Sequence, residues 1–97
     1  MIEEIDRAQM ERLLKQGALL VDVREEDEIA NDGSIAGTTV MPLSRFEDFK
    51  EQLPTDRPVV FYCRSGRRSL KAAAIAETWT KQPLYSLAGG WLGYKGE

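Results

Sequence analysis

Apolar residues fall into two rhythms along this chain, one helical and one of short buried runs. Met10, Leu13, Leu14 and Gly17 follow the i, i+3, i+4, i+7 spacing that predicts a helix buried on one side. Asp6 and Gln9 have capping-box spacing, which starts that helix near Arg7, and Gly17 is placed to stop it. Ala18-Leu19-Leu20-Val21 reads as a buried strand entering Asp22-Val23-Arg24, followed by a polar turn or short helix from Glu25 to Ala30. Thr38-Thr39-Val40-Met41 is a second β-branched run, stopped by Pro42. Ser44 and Glu47 have capping-box spacing too, and Phe46, Phe49 and Leu53 supply one apolar face. Pro58-Val59-Val60-Phe61-Tyr62 is the strongest strand signal. A helix is expected after Gly66, because Ala72, Ile75, Ala76 and Trp79 share a face and Pro83 bars its continuation. Leu84-Tyr85-Ser86-Leu87 is the last strand signal, before Gly89-Gly90.

Strands alternating with helices imply βαβ units, hence an α/β fold with a mainly parallel sheet covered on both faces. Ligands in such sheets bind beyond the C-terminal strand ends. Cys63 stands at such an end. The 97 residues fit a single domain, 1–97, since a second would lack room for its own core.

Composition removes most chemistry. The chain has one Cys and no His, which excludes an internal disulfide, a Cys/His zinc site, and any Cys–His or Ser–His catalytic pair. No metal and no cofactor are expected. The acidic start lacks the apolar core of a signal peptide, and no run approaches the ~20 residues of a membrane span. A cytoplasmic protein without membrane contact is the expectation. The net charge of −3 hides −7 over residues 1–53 and +4 over residues 54–97. Arg57, Arg64, Arg67, Arg68 and Lys71 gather near Cys63. That cluster reads either as a solvated helix start or as a local field for a small anion. An acidic chain with one short basic cluster is a poor nucleic-acid binder.

Cys63-Arg64-Ser65-Gly66-Arg67-Arg68-Ser69, between a strand and a helix, is the one constellation with a mechanism. Gly66 permits positive φ and a tight curl, whose successive N–H groups converge as an anion nest. The following helix start adds unpaired N–H groups, and the three arginines add charge. A sulfur at the mouth of such a loop is expected as an anion. The competing reading is a buried, inert thiol, but a core thiol has no need of a cationic loop.

Here the chain resembles the rhodanese family, specifically its small single-domain sulfurtransferases. Leu20-Val21-Asp22-Val23-Arg24 with Glu28 is similar to the family's strand motif. Val60 through Ser69 resembles its active loop, and Leu87-Ala88-Gly89-Gly90-Trp91 its C-terminal signature. The resemblance implies a five-stranded parallel sheet and a catalytic cysteine at Cys63. Gly33-Ser34-Ile35-Ala36-Gly37-Thr38 departs from the family's Gly-His-Ile-Pro-Gly-Ala, and Ala36 in place of proline is expected to loosen that turn. The tail after Trp91 is short for a closing helix.

The implied reaction is double displacement: Cys63 takes the outer sulfur of thiosulfate or a similar anionic donor as a persulfide. A thiol, a cyanide-like acceptor or a protein acceptor then removes it. Arg64, Ser65, Gly66, Arg67, Arg68 and Ser69 are the substrate-binding candidates, chiefly through their N–H groups. Arg64 and Arg67 are expected to face solvent and steer the donor, and Arg68 to close the loop. Asp22 and Arg24 are expected to hold the sheet end against the loop, while Trp91 either walls the pocket or fills the core. Lowering a thiol pKa from about 8.5 to ~6.5 raises the thiolate fraction at pH 7 about 25-fold. It costs around 8-fold in nucleophilicity, so binding must supply most of the catalysis. Two other readings remain: a non-catalytic or relay module docking a protein partner, and a Cys-dependent phosphatase. The phosphatase loop resembled here needs an arginine six positions after the cysteine, where this chain has Ser69.

Overall fold

Val59–Tyr62, the most continuous apolar strand, becomes the centre of the sheet. The computed structural model describes residues 2–96, so Met1 and Glu97, the ends of the expected domain, lie outside the described residues. Strands β1 (Ile2–Ile5), β2 (Leu19–Asp22), β3 (Thr39–Val40), β4 (Val59–Tyr62) and β5 (Leu84–Leu87) form one sheet. Its order is β1-β5-β4-β2-β3, and every neighbouring pair is parallel. Parallel pairing requires crossovers, which run through α1 (Arg7–Lys15), α2 (Glu26–Asp32), a 3₁₀ segment (Leu43–Gln52) and α3 (Arg67–Glu77). A last helix, α4 (Gly90–Gly96), follows β5. The expected α/β class and five-stranded parallel sheet are both present. Among the described residues no helix is long and apolar enough to cross a membrane.

Period-two alternation along β4 divides the interior in two. Val59, Phe61 and Cys63 join one core with Val21, Val23, Phe46 and the α3 residues Ala72, Ala73 and Ala76. Val60 and Tyr62 join the other with Met10 of α1, Leu20, Leu87 and Trp91. Three alanines on one face let α3 lie close to the sheet, directly behind the loop it begins. The Phe61 ring meets Phe46 edge-on at 5.8 Å, and a fully buried aromatic of this kind is worth about 3–5 kcal/mol relative to alanine.

Local expectations fare unevenly. The Asp6–Gln9 capping box forms in both directions, at 2.8 and 2.9 Å. The Ser44–Glu47 box does not. Ser44 Oγ instead donates to Glu25 at 2.8 Å, and the segment is 3₁₀, interrupted by non-helical dihedrals at Arg45. Leu43, Phe46 and Phe49 recur every three residues, which suits the 3₁₀ period better than 3.6. The turn containing Ser34 and Ala36 is pinned by another route. The Tyr62 hydroxyl accepts from Ile35 N–H at 3.1 Å and pairs with Thr38 Oγ1 at 2.8 Å. Helix α4 forms despite the short tail, held by bonds to residues far away in sequence.

Candidate functional site

Beyond β4 the chain curls through Cys63-Arg64-Ser65-Gly66 into α3, with Gly66 as N-cap at φ +108°. That left-handed turn brings N–H groups back toward the cysteine. Gly66 N–H donates to Cys63 Sγ at 3.1 Å and Ser69 N–H at 3.4 Å, while Ser69 Oγ lies 3.6 Å away. Cys63 is only 1% exposed, so its sulfur lies at the floor of the loop and not at the mouth expected from the sequence. Burial alone would push the thiol pKa up. Hydrogen bonds from the Ser69 hydroxyl and N–H, and from the N–H groups of Gly66 and Ser65, outweigh it and hold the thiol below its ordinary value. The groups that stabilise the sulfur are therefore mostly main-chain dipoles.

The arginines are placed elsewhere. Arg64 and Arg67 are exposed. Arg68 makes a bidentate pair with Glu28 of α2 at 2.7 and 2.8 Å. That pairing, with the Glu25 N–H also donating to Glu28, holds the Glu28 carboxyl pKa at about 2. It ties α2 to the first turn of α3 across 40 residues of sequence.

Ser86 is a member of this cluster that sequence reasoning missed. It is fully buried on β5, with its hydroxyl 2.7 Å from Ser69 Oγ. Each hydroxyl has one proton. When Ser86 donates to Ser69, the Ser69 proton is free for the sulfur or for the Gly66 carbonyl, 3.1 Å away. The available signal was a serine inside the apolar run Leu84-Tyr85-Ser86-Leu87.

Asp22 and Arg24 form a buried ion pair at the end of β2, both fully inaccessible to solvent. Arg24 Nη2 donates to Asp22 Oδ2 at 2.7 Å and to the Gly33 carbonyl at 2.8 Å. The guanidinium carbon lies 5.2 Å from the Trp91 ring and 5.7 Å from Tyr62. These contacts run to the Gly33 turn and to α4, and the pair reaches the cysteine loop through Trp91. Trp91 itself is 8% exposed and packs in the core, and its main-chain N–H donates to the Cys63 carbonyl at 2.8 Å.

The chain is similar to several known proteins. A family model described as Rhodanese-like domain matches residues 6–97. A sulfurtransferase of Allochromatium vinosum is 36% identical over 92 residues, covering 93% of this chain and 85% of that protein. The thiosulfate sulfurtransferase GlpE of Stutzerimonas stutzeri is 31% identical over 88 residues, covering 91% of this chain and 80% of that one. The uncharacterized protein YqhL of Bacillus subtilis is 36% identical over 80 residues and 82% of this chain, which spans 63% of that protein's length. Among solved structures, the human single-domain sulfurtransferase TSTD1 superposes with a TM-score of 0.82 at 25% identity, covering 97% of this chain and 96% of that one.

Proposed function

This chain belongs to the rhodanese-like domain family, and we propose that it is a sulfurtransferase carrying a sulfane sulfur on Cys63 from an anionic donor such as thiosulfate to a nucleophilic acceptor. The Cys63 thiolate attacks the outer sulfur of thiosulfate. A new S–S bond forms as the old one breaks, and the electron pair of the old bond leaves on sulfite. The protein then holds Cys63–S–S⁻, its charge answered by the N–H groups of Ser65, Gly66 and Ser69. A thiolate or cyanide attacks the outer sulfur, and the electron pair of the S–S bond returns to Cys63. Arg64 and Arg67, on the exposed side of the loop, draw the donor anion in.

The observation that carries this reading is the convergence of main-chain N–H groups on a thiol buried to 1% exposure. Such dipoles stabilise an anion without neutralising it, so the sulfur keeps its nucleophilic charge. Phosphate transfer is disfavoured by the same geometry. The position six after the cysteine is Ser69, and the guanidinium fork of Arg68 is taken by Glu28. The test is thiocyanate production from thiosulfate and cyanide. Turnover is expected for the wild type and none for a folded Cys63→Ser variant, and equal turnover by the variant would contradict the proposal.

A further inference from the structure

Gly90, the first residue of α4, sits against the back of the cysteine loop. A Cβ built there would lie 2.4 Å from the Cys63 carbonyl oxygen, 2.7 Å from that of Arg64 and 2.8 Å from the Arg64 carbonyl carbon. Only a residue without a side chain fits. That closeness permits two hydrogen bonds from the first turn of α4: Trp91 N–H to the Cys63 carbonyl at 2.8 Å, and Leu92 N–H to the Arg64 carbonyl at 3.1 Å. Neither donor has an intrahelical partner to lose, since the first α4 bond is Gly93 N–H to the Gly89 carbonyl. In a planar trans peptide the C=O and the following N–H point opposite ways. Pinning the Arg64 carbonyl against α4 therefore turns Ser65 N–H toward the other side of the loop, where Cys63 Sγ lies.

We infer that Gly90 is a positioning residue for the Cys63 loop: by letting α4 dock on the Cys63 and Arg64 carbonyls, it fixes the loop's first peptides and aims the Ser65 N–H at the sulfur. The inference rests on the reading of Cys63 as the sulfur carrier, but it concerns the state of the thiol, which is measured without any sulfur transfer. Ser65 N–H is among the donors that keep the thiol pKa low. Arg64, Arg67 and Arg68 keep their charges whatever residue stands at 90.

The experiment is the pH midpoint of Cys63 alkylation by iodoacetamide, with circular dichroism and thermal melting as fold controls. A midpoint reports the thiolate equilibrium, whereas the plateau rate also reports access. Gly90→Ala is expected to raise the midpoint by about one pH unit, a roughly tenfold loss of thiolate below it. Gly89→Ala separates contact from strain. Gly89 has φ +77° and Gly90 φ +55°, but a Cβ at Gly89 meets only Gly93 Cα, at 3.7 Å. Its midpoint is expected to stay at the wild-type value. Leu92→Pro supplies a second route should Gly90→Ala fail to fold. Leu92 is 39% exposed and in the first helical turn, so the change removes the N–H that pins Arg64 and sets the ring Cδ against that carbonyl, undoing the same contact from the α4 side. It is expected to raise the midpoint by a smaller amount. A folded Gly90→Ala or Leu92→Pro with the wild-type midpoint would overturn the inference, as would an equal shift in Gly89→Ala. A wild type that transfers no sulfur while the midpoints shift as described would defeat the proposed function and leave this inference standing.

Discussion

Strands β2 and β4 lie side by side, with Asp22 in register opposite Tyr62, and each leads to an acidic group at the same, C-terminal end of the sheet. The two ends answer that acid differently. At β2 the Asp22 carboxylate meets a full cation, Arg24, and both side chains are sealed from water. At β4 the Cys63 sulfur meets N–H dipoles and a hydroxyl, while the neighbouring cations point to solvent or are held by Glu28. An ion pair cancels charge and is inert; a cradle of dipoles lowers the cost of a charge and leaves it reactive. Two strand ends of similar topology thus become a structural clamp and a candidate reaction centre.

The largest effect is expected at the clamp. Asp22→Ala strands the Arg24 cation in the core and should cost about 3–5 kcal/mol in urea unfolding. An Asp22→Leu/Arg24→Met double variant should recover much of that loss, because no uncompensated charge remains. A double variant as unstable as the single one would show that packing, and not charge, makes the clamp. At the cradle, Gly66→Val forces a β-branched residue to φ +108°. The kcat of sulfur transfer should fall about 10²-fold or more, equally at low and high salt, since dipoles of the fold are lost and not screened charges. A loss that disappears at high salt would contradict the dipole account.

Glu28→Gln tests the strap between the two helices that follow these strands. The Glu28 carboxyl is held at about 2 against an ordinary 4.5, so its contribution is complete above about pH 4.5 and is lost as pH falls toward about 2. With Arg68 35% and Glu28 27% exposed, screening leaves roughly 1 kcal/mol. Wild type and variant should differ by that amount at neutral pH and converge in acid. The smallest effects belong to the exposed cations. Arg64→Ala and Arg67→Ala should raise KM for thiosulfate about threefold with kcat nearly intact, and added salt should shrink the difference.

What could be read in advance follows from which signals are local. β4 announces itself because a central parallel strand is buried on both faces and so is apolar at every position. The loop after it is legible because its glycine and arginines are contiguous. β1 escapes notice: Ile2-Glu3-Glu4-Ile5 is an edge strand with two exposed glutamates, and its one neighbour is β5. The 3₁₀ segment and the rewired Ser44 depend on a glutamate from another crossover. Ser86, the Arg68–Glu28 pair and the fit of Gly90 against Arg64 join residues distant in sequence, where no periodicity can register them. The cysteine's place at a strand end and a nest of loop N–H groups curled by Gly66 are both legible in the sequence. Which of those N–H groups reach the sulfur, and the Ser69–Ser86 pair behind it, are not, because N–H directions are set by the fold.

The central claim, that the dipole cradle holds a sulfur on Cys63, is tested most directly by the intact mass of the protein before and after thiosulfate, and again after cyanide. The account predicts a gain of one sulfur atom with thiosulfate, its complete loss with cyanide, and no gain in Cys63→Ser. A folded wild-type protein whose Cys63 is alkylated at neutral pH, yet gains no sulfur from thiosulfate, would contradict it.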